Sequence, residues 1–249
     1  MINIGLRSEY ILSVFGVLLT NTFFTSILVT ILLIVLGVLF YFKKQNHKNI
    51  LIKGIVFLVF ELLKFTDTIT RDRKLSKKIL PLIATFFLFI ASANLLELIP
   101  GFLGSFFINT PDGRFSVLKS PDSDLTTTIA LALFSVLSIQ FFSLQILGIK
   151  KYIKRFLNFT NPIDFILGLF ETISESVKII SFSFRLFGNI FAGEVLLLVI
   201  AFLAPYIIPL PFMILEVFVG IIQAFIFSVL TLTFIKTSTM RHIKPETQN

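Results

Sequence analysis

Five long apolar segments divide the chain, and each is long enough to cross the hydrocarbon core of a bilayer. One helical crossing needs about 20 consecutive, mainly apolar residues. The segments are 23–42, 79–99, 125–149, 179–204 and 212–235. The pattern predicts an all-α polytopic membrane protein, in which residues 1–249 form a single membrane domain and 23–42 form the first transmembrane helix.

A shorter apolar stretch, Ile50–Lys64, carries its charges on one side only. Lys53, Glu61 and Lys64 fall within about one quadrant of a helical projection. A helix with one charged strip lies along the membrane surface with its apolar face in the headgroup region. We therefore predict a surface amphipathic helix and a basic loop over 48–78, followed by a transmembrane hairpin over 79–149.

Basic residues cluster at alternate ends of the apolar segments. They occupy 43–48, 71–78, 150–155 and a carboxyl-terminal tail that begins at Lys236. The positive-inside rule places these stretches on the cytoplasmic or matrix side. The loop 100–124 and the turn 205–211 then lie outside, as does the amino terminus. We expect no removable signal peptide, because no cleavage pattern follows the first charged residues.

The composition excludes several classes of protein. With 55% hydrophobic and 14% charged residues, the chain has too little polar surface to cover a soluble globule. Its net charge of +8 lies at the ends of apolar segments, so we expect the lipid bilayer as a partner and no nucleic acid. Cysteine is absent, and no P-loop, metal-ligand cluster or nucleophile–base pair is present. We expect no catalytic site, metal or cofactor in this chain.

Arg185 lies inside the segment 179–204 and is the most expensive residue in the sequence to bury. A guanidinium cannot lose its proton in the accessible pH range, so it needs a partner or water. Polar and small residues surround it at helical spacing and predict a continuous stripe along one face. The stripe comprises Glu171, Ser174, Lys178, Ser181, Gly188, Asn189 and Ala192. Snorkelling to the headgroups is the competing interpretation, and the stripe weighs against it.

Two carboxylates lie in the last two apolar segments. Glu194 is nine residues after Arg185, which places it on the opposite side of the helix and about 13.5 Å along it. Glu216 and Gln223 are seven residues apart and share a face of the last helix. The short turn 205–211 makes these two helices antiparallel neighbours, so a second polar face is available to meet the first.

Three further acidic residues have ordinary interpretations. Glu97 lies near the end of its apolar segment, where it either reaches the headgroups or marks a channel mouth. Glu171 and Glu175 are interpreted as part of a solvated face.

Three motifs resemble a known family. Residues 181–200, SFSFRLFGNIFAGEVLLLVI, resemble the signature of the a subunit of F-type ATP synthases, and IIQAFIFSVLTLTFI at 221–235 resembles its last-helix signature. A weaker resemblance is ANLLELIPG at 93–101. The resemblance implies an ion-translocating hairpin of two long, tilted helices over 162–238. It also implies the partners: a c-subunit ring, b-type stator subunits and, indirectly, the catalytic sector.

The resemblance also implies roles for individual residues. Arg185 takes the place of the family's essential arginine, which separates two aqueous half-channels that load and unload the ring carboxylates. Asn189 and Gln223 match the polar positions that flank it. Polar groups at the beginning of the same helix are matched by Glu171, Lys178 and Ser181.

The chain departs from the family pattern at one pair of positions. Glu194 and Glu216 occupy sites that form a Glu–His pair in well-known members. Two close carboxylates repel when both are ionised, so the pair would share a proton or hold a cation. Proton and sodium coupling therefore both stay open.

Two other classes of function compete with this interpretation. A secondary ion-coupled transporter also places charges at mid-membrane, but it is typified by inverted repeats and broken helices. A purely structural membrane subunit would not need paired polar faces. The AGE at 192–194 and the short amino terminus favour the bacterial plasma (inner) membrane, with the mitochondrial inner membrane as the alternative.

Overall fold

The computed structural model describes residues 10–14, 17–43, 50–98, 107–110, 113–116, 119–156, 162–204 and 207–240. Within these ranges the chain forms seven α-helices, a 3₁₀ turn and two small β-hairpins. The helices are α1 Asn21–Lys43, α2 Ile50–Thr70, α3 Arg73–Leu98, α4 Leu125–Leu147, α5 Ile149–Phe156, α6 Pro162–Leu203 and α7 Pro209–Met240. The strands are β1 Tyr10–Val14, β2 Val17–Thr20, β3 Phe107–Thr110 and β4 Gly113–Ser116, and the 3₁₀ turn is Pro121–Ser123.

The predicted fold class is confirmed. Five of the described helices, α1, α3, α4, α6 and α7, are long and apolar enough to cross a membrane. The antiparallel hairpins β1–β2 and β3–β4 add two short sheets that the hydropathy pattern did not predict. The hairpin β3–β4 lies within the connection 100–124, which the sequence analysis interpreted as a loop.

Two of the predicted basic loops are wrong. Helix α3 begins at Arg73, so most of the basic stretch 71–78 belongs to its first turns, and 150–155 lies within α5. Asp72 caps the beginning of α3, because its Oδ1 accepts a hydrogen bond of 2.9 Å from the Lys74 amide. Hydropathy marks only the apolar part of a helix, whereas backbone hydrogen bonding continues into the charged residues beyond it.

Helix α2 has the amphipathic character that the sequence predicts. Its charged strip is exposed, and Leu62, Thr66 and Thr70, spaced four residues apart, form the buried face. The helix packs against α3 and α7. Phe65 contacts Phe225 of α7 with ring centroids 5.1 Å apart. The apolar face of α2 is therefore covered partly by protein.

The core lies where α3, α6 and α7 meet. Phe227 of α7 is buried between Phe86 of α3 and Phe182 of α6, at centroid distances of 5.3 and 5.1 Å. Helix α4 joins them through a buried hydroxyl pair, because Ser135 and Thr231 of α7 lie 2.8 Å apart. Hydroxyls can bond across an apolar interface without exposing an unsatisfied group to lipid.

Asp124 fixes the beginning of α4 against the beginning of α1. Its Oδ1 accepts from the Thr126 amide at 3.0 Å, and its Oδ2 accepts from the Thr22 hydroxyl at 3.0 Å. At the other end, Gly148 has a φ of 77°, a conformation that glycine adopts without strain, and it turns the chain into α5. Helix α4 therefore ends in a sharp change of direction.

Helix α6 is too long to stand upright in a bilayer. Its 42 residues extend about 63 Å at 1.5 Å per residue, whereas the hydrocarbon core is about 30 Å thick. Such a helix is tilted, continues beyond the apolar layer, or does both. The long, tilted final hairpin of the predicted fold agrees with this length.

Gly220 lets α7 approach α3 closely. A Cβ atom at this position would lie 2.9 Å from the Asn94 Cβ, inside normal contact distance. Asn94 is buried, and its Nδ2 donates to the Gly220 carbonyl at 3.4 Å. The Asn94 side chain thus bonds the backbone of α7 directly, and position 220 has no room for a residue larger than glycine.

We expect Gly220→Ala to lower the free energy of unfolding by about 1–3 kcal/mol, because the added methyl group overpacks the α3–α7 interface. Denaturant unfolding of the purified chain in detergent micelles would measure this. The matched control is Gly37→Ala, since a Cβ there would meet no atom within 4 Å. Equal stabilities of the two variants would contradict the prediction.

Candidate functional site

Arg185 lies on the outer face of α6. It is exposed, as are Ser181 and Asn189 one turn before and after it, and the Arg185 Nη2 donates to the Ser181 Oγ at 3.3 Å. The surrounding surface is apolar, because Ile180 and Phe184 are 57% and 55% exposed. Among the described residues, no carboxylate lies within ion-pair distance of Arg185. The guanidinium is directed away from its own chain.

Asn189 links this face to α7. Its Nδ2 donates to the Gln223 Oε1 at 2.7 Å, and Gln223 is 2% exposed. Asn189 and Gln223 are therefore in contact. The sequence predicted only that their two helices are neighbours. The hydrogen bond holds Asn189 one turn away from Arg185 and fixes the α7 face behind it.

The predicted stripe is not continuous. Ser174, Ser181, Asn189 and Ala192 are exposed along α6, but Lys178 is buried. The Lys178 Nζ donates to the Glu175 Oε1 at 2.7 Å and lies 4.8 Å from the centroid of the Phe234 ring. Helical spacing places Lys178 near the Arg185 face, but its long side chain bends towards neighbouring helices.

Lys178 belongs to a buried group of charges that we call the ion cluster. Its members are Arg155, Glu171, Glu175 and Lys178. The solvated face predicted for Glu171 and Glu175 is wrong, because their side chains are only 13% and 11% exposed. Helices α4 and α5 pack against α6 and cover this part of it.

Arg155 of α5 holds the ion cluster together. Its Nε donates to the Glu171 Oε1 at 3.1 Å, and its Nη2 donates to the Glu175 Oε1 at 3.1 Å. The guanidinium also reaches the Ser143 hydroxyl of α4 at 3.4 Å. A planar fork of donors is suited to bridging two carboxylates in this way. Three helices are thus joined by one side chain.

Gly168 permits the approach of α5 to α6. A Cβ atom at this position would overlap the carbonyl oxygen of Phe156, the last residue of α5. The neighbouring Arg155 can therefore reach the carboxylates one and two turns further along α6. No feature of hydropathy or motif spacing indicated this contact.

A second group of charges lies at the other end of α6, and we call it the acidic cluster. It consists of Glu97 from α3, Glu194 from α6 and Glu216 from α7. Glu97 interacts electrostatically with both other carboxylates. The sequence left two interpretations of Glu97. Its interaction with the other carboxylates favours a position at a channel mouth over a position among the headgroups.

Glu216 fits against α6 because of Gly193. A Cβ at Gly193 would lie 2.5 Å from the Glu216 Oε1, and Glu216 is 8% exposed. The structure therefore brings Glu216 beside Glu194, as the motif positions indicated. The Oε2 atoms of both carboxylates are buried and have no hydrogen-bond partner among the described residues.

Two residues of the connection before α4 complete the acidic cluster. The Lys119 Nζ lies 3.6 Å from the Glu194 Oε1, and the Ser120 side chain is hydrogen-bonded to Glu97. Sequence reasoning missed both residues, as it missed Arg155 and Gly193. The only available signal was the polar composition of the connection, which does not say which side chains turn inward.

Arg185 separates the two clusters along α6. Lys178 is seven residues before it and Glu194 nine residues after it, which correspond to about 10.5 Å and 13.5 Å of helix. The acidic cluster lies at the end that the positive-inside rule places outside, and the ion cluster lies at the basic end. Polar groups therefore lie towards both ends of α6, and the permanent cation Arg185 lies between them.

The chain is similar to proteins of one known family. The profile of the family described as ATP synthase A chain matches residues 23–236. The chain is 37% identical over 169 residues to ATP synthase subunit a of Moorella thermoacetica, covering 68% of each protein. It is 34% identical over 200 residues to ATP synthase subunit a of Geotalea daltonii, covering 79% of this chain and 74% of that protein. The subunit a of Legionella pneumophila (strain Corby) is 33% identical over 164 residues, 66% of this chain and 63% of that one.

We expect Arg155→Ala to lower the free energy of unfolding by about 3–5 kcal/mol, because it leaves Glu171 charged and buried without its cation. The same denaturant measurement in detergent micelles applies. Lys154→Ala is the matched control, because Lys154 is an exposed cation on the same helix and should change stability by no more than about 0.5 kcal/mol. A loss no larger than in this control would show that the ion cluster is not structural.

Proposed function

Because the chain belongs to the ATP synthase A chain family, we propose that it is the stator subunit in which Arg185 separates two aqueous half-channels of a rotary F-type ATP synthase. It is an integral membrane protein of the membrane sector of an ATP-synthesising complex. Family membership favours this function over a secondary ion-coupled transporter. The chain itself is proposed to carry no catalytic site.

The exposed guanidinium of Arg185 carries the proposal. A permanent cation on an apolar surface, without a carboxylate from the described part of its own chain, needs an anionic partner on another subunit. We infer that the partner is a ring of c subunits, each with a carboxyl group at membrane depth. Ser181 and Asn189 extend the polar part of the contact surface on either side of Arg185.

The acidic cluster is suited to line the outer half-channel. Its carboxylates come from three helices, and Glu194 and Glu216 each have a buried oxygen that no described residue satisfies. Such oxygens can accept and release protons. An ion that reaches Glu216 is also two turns of α7 from Gln223, whose bond to Asn189 lies beside Arg185. The path from the outer side thus ends next to the barrier.

The inner half-channel is proposed to follow the exposed polar positions of α6 between its basic end and Arg185. Ser174 and Ser181 are exposed there, whereas Glu171 and Lys178 are held in the ion cluster. We therefore assign these two charged residues to fixing the wall of the half-channel and leave the serines to face the ion. The sequence alone gave all four the same role.

The electrostatics of the site account for coupling. A ring carboxylate crosses the lipid cheaply only when an ion neutralises it. Arg185 attracts the emptied carboxylate between the half-channels and repels a passing cation, so an ion cannot move directly from one half-channel to the other. Ion flow then requires the ring to turn. With Glu at both positions of the pair, Glu194 and Glu216 provide two carboxylates that can receive the translocated ion without histidine.

The remaining partners follow from the same family. We propose a b-type stator that holds this chain still and, through it, the catalytic sector that makes ATP. The named relatives are bacterial, which supports a bacterial plasma membrane location.

We expect Arg185→Ala to leave an assembled complex that neither makes ATP from an ion gradient nor pumps ions during hydrolysis, because the barrier between the half-channels is lost. ATP synthesis and ATP-driven pumping in reconstituted vesicles measure this. Lys53→Ala removes an exposed cation on α2 and should keep both activities. Coupled pumping near the normal rate in Arg185→Ala would disprove the assignment.

We expect Glu216→Gln to slow ion translocation by about tenfold or more, and Glu97→Gln to slow it less. Glu216 is buried between α6 and α7, whereas Glu97 is partly exposed and therefore more easily replaced by water. One proton-transfer group typically contributes about 10²–10⁴-fold. Initial rates of ATP-driven pumping compare the two variants, and equal, small effects would reduce Glu216 to a structural role.

A further inference from the structure

Lys119 brings a positive charge into the acidic cluster. Its Nζ lies 3.6 Å from the Glu194 Oε1, and the side chains of Lys119 and Glu194 are only 16% and 22% exposed. Of the ion pairs that the described residues form, no other reaches a carboxylate of this cluster. The proposed function gives no role to this largely buried ammonium group.

The backbone that carries Lys119 is held firmly against the helices. The next residue, Ser120, is fully buried; its hydroxyl accepts a hydrogen bond from the Asp122 amide at 3.2 Å, and its side chain is hydrogen-bonded to Glu97. The 3₁₀ turn that follows packs against α1, α3, α4 and α6. The lysine side chain therefore enters the cluster from a fixed position.

Lys119 acts on more than one carboxylate. Besides its ion pair with Glu194, it interacts electrostatically with Glu97. Glu97 in turn interacts with Glu194 and Glu216. Three carboxylates and one ammonium group thus form a single connected set of charges, in which the place for a cation beside Glu194 is already taken.

The ion pair neutralises charge but leaves carboxylate oxygens open. At 3.6 Å the ammonium is beyond hydrogen-bond distance from the Glu194 Oε1. The buried Oε2 atoms of Glu194 and Glu216 have no hydrogen-bond partner within the described ranges, and Glu216 is only 8% exposed. A lysine that served only to satisfy the buried carboxylates would not leave these oxygens unpaired. The cluster can therefore still receive an ion.

The two candidate ions make different demands on such a site. A proton needs only one oxygen and can bind an open Oε2 while the ammonium stays in place. A sodium ion gives up its hydration shell only where several oxygens replace it at once. It would have to displace the ammonium from Glu194, and the two like charges repel each other at short range. The fixed ammonium thus penalises sodium more than the proton.

We propose that Lys119 is a specificity-determining residue of the outer half-channel, where its ammonium occupies the cation position of the acidic cluster and excludes sodium ions in favour of protons. This inference rests on the proposed function and deepens it, because it names the proton as the ion that this half-channel admits.

The test uses the complete ATP synthase complex in vesicles whose lumen faces the outer side of this subunit. ATP synthesis is driven by a fixed pH difference and a fixed membrane potential. The lumen contains increasing concentrations of sodium chloride or, as a control for ionic strength, the same concentrations of choline chloride. We expect the native complex to synthesise ATP at the same rate in both salts.

Lys119→Gln removes the charge but keeps a polar side chain of similar length. We expect sodium to inhibit synthesis in this variant at concentrations at least about tenfold below any that affect the native complex, because a unit charge about 4 Å away is lost. Lys119→Arg keeps the charge and should stay insensitive to sodium. Lys53→Gln, the same chemical change at an exposed position of α2, should match the native complex.

Equal rates of Lys119→Gln in sodium and choline would overturn the proposal, whether or not the rate is lower than in the native complex, because they indicate at most a packing role. Synthesis driven by a sodium gradient alone in the native complex would also overturn it. If Lys119→Gln does not assemble, Lys119→His decides. At an outer pH of about 8 the imidazole is uncharged, so sodium should inhibit this variant, and equal rates in the two salts overturn the proposal.

The Arg185 variant keeps this test apart from that of the proposed function. Loss of coupling in Arg185→Ala together with equal rates of Lys119→Gln in the two salts rejects only the role of Lys119. Retained coupling in Arg185→Ala rejects the proposed function itself, whatever Lys119 does.

Discussion

The arrangement of this membrane domain depends on the guanidinium of Arg185, which cannot lose its positive charge. Within the described part of the chain, the carboxylates of the acidic cluster and the ion cluster lie towards the two ends of α6, away from Arg185. Had one of them been placed a turn from Arg185, the internal ion pair would have satisfied the cation and weakened the attraction for a ring carboxylate that we propose for it. The distribution of acidic residues matters here as much as the arginine does.

Glycines set the distances on which this distribution depends. Gly168, Gly193 and Gly220 each lie where a side chain would collide with a neighbouring helix. Through them, Arg155 reaches α6, Glu216 settles beside Glu194, and α7 packs on α3. In a bilayer, close packing and a few internal polar bonds replace the hydrophobic effect as the force between helices. Small residues at three contacts therefore position charges as well as backbones.

The sequence predicted well what depends on one helix and poorly what depends on its neighbours. Long apolar runs gave the five crossing helices, and the face of Ser181, Arg185 and Asn189 followed from periodicity. Lys178 lies at nearly the same angle on α6, yet it is buried because α4 and α5 cover that end of the helix. Lys119 and Ser120 could not be predicted for a similar reason, because composition shows a polar connection but not which of its side chains point into the protein. The beginning of α3 at Arg73 and the short helix α5 were missed because charged residues can be helical where hydropathy marks no apolar segment.

The length of α6 has a consequence for the direction of the force that the subunit can exert. Where a helix about twice as long as the bilayer is thick crosses it obliquely, its two ends are displaced sideways as well as in depth. The acidic cluster and the ion cluster mark those two ends. Under the proposed function, half-channel openings that are offset in this way would present a ring carboxylate with a lower energy in one tangential direction than in the other. A gradient that acts perpendicular to the membrane would thereby produce a torque within its plane.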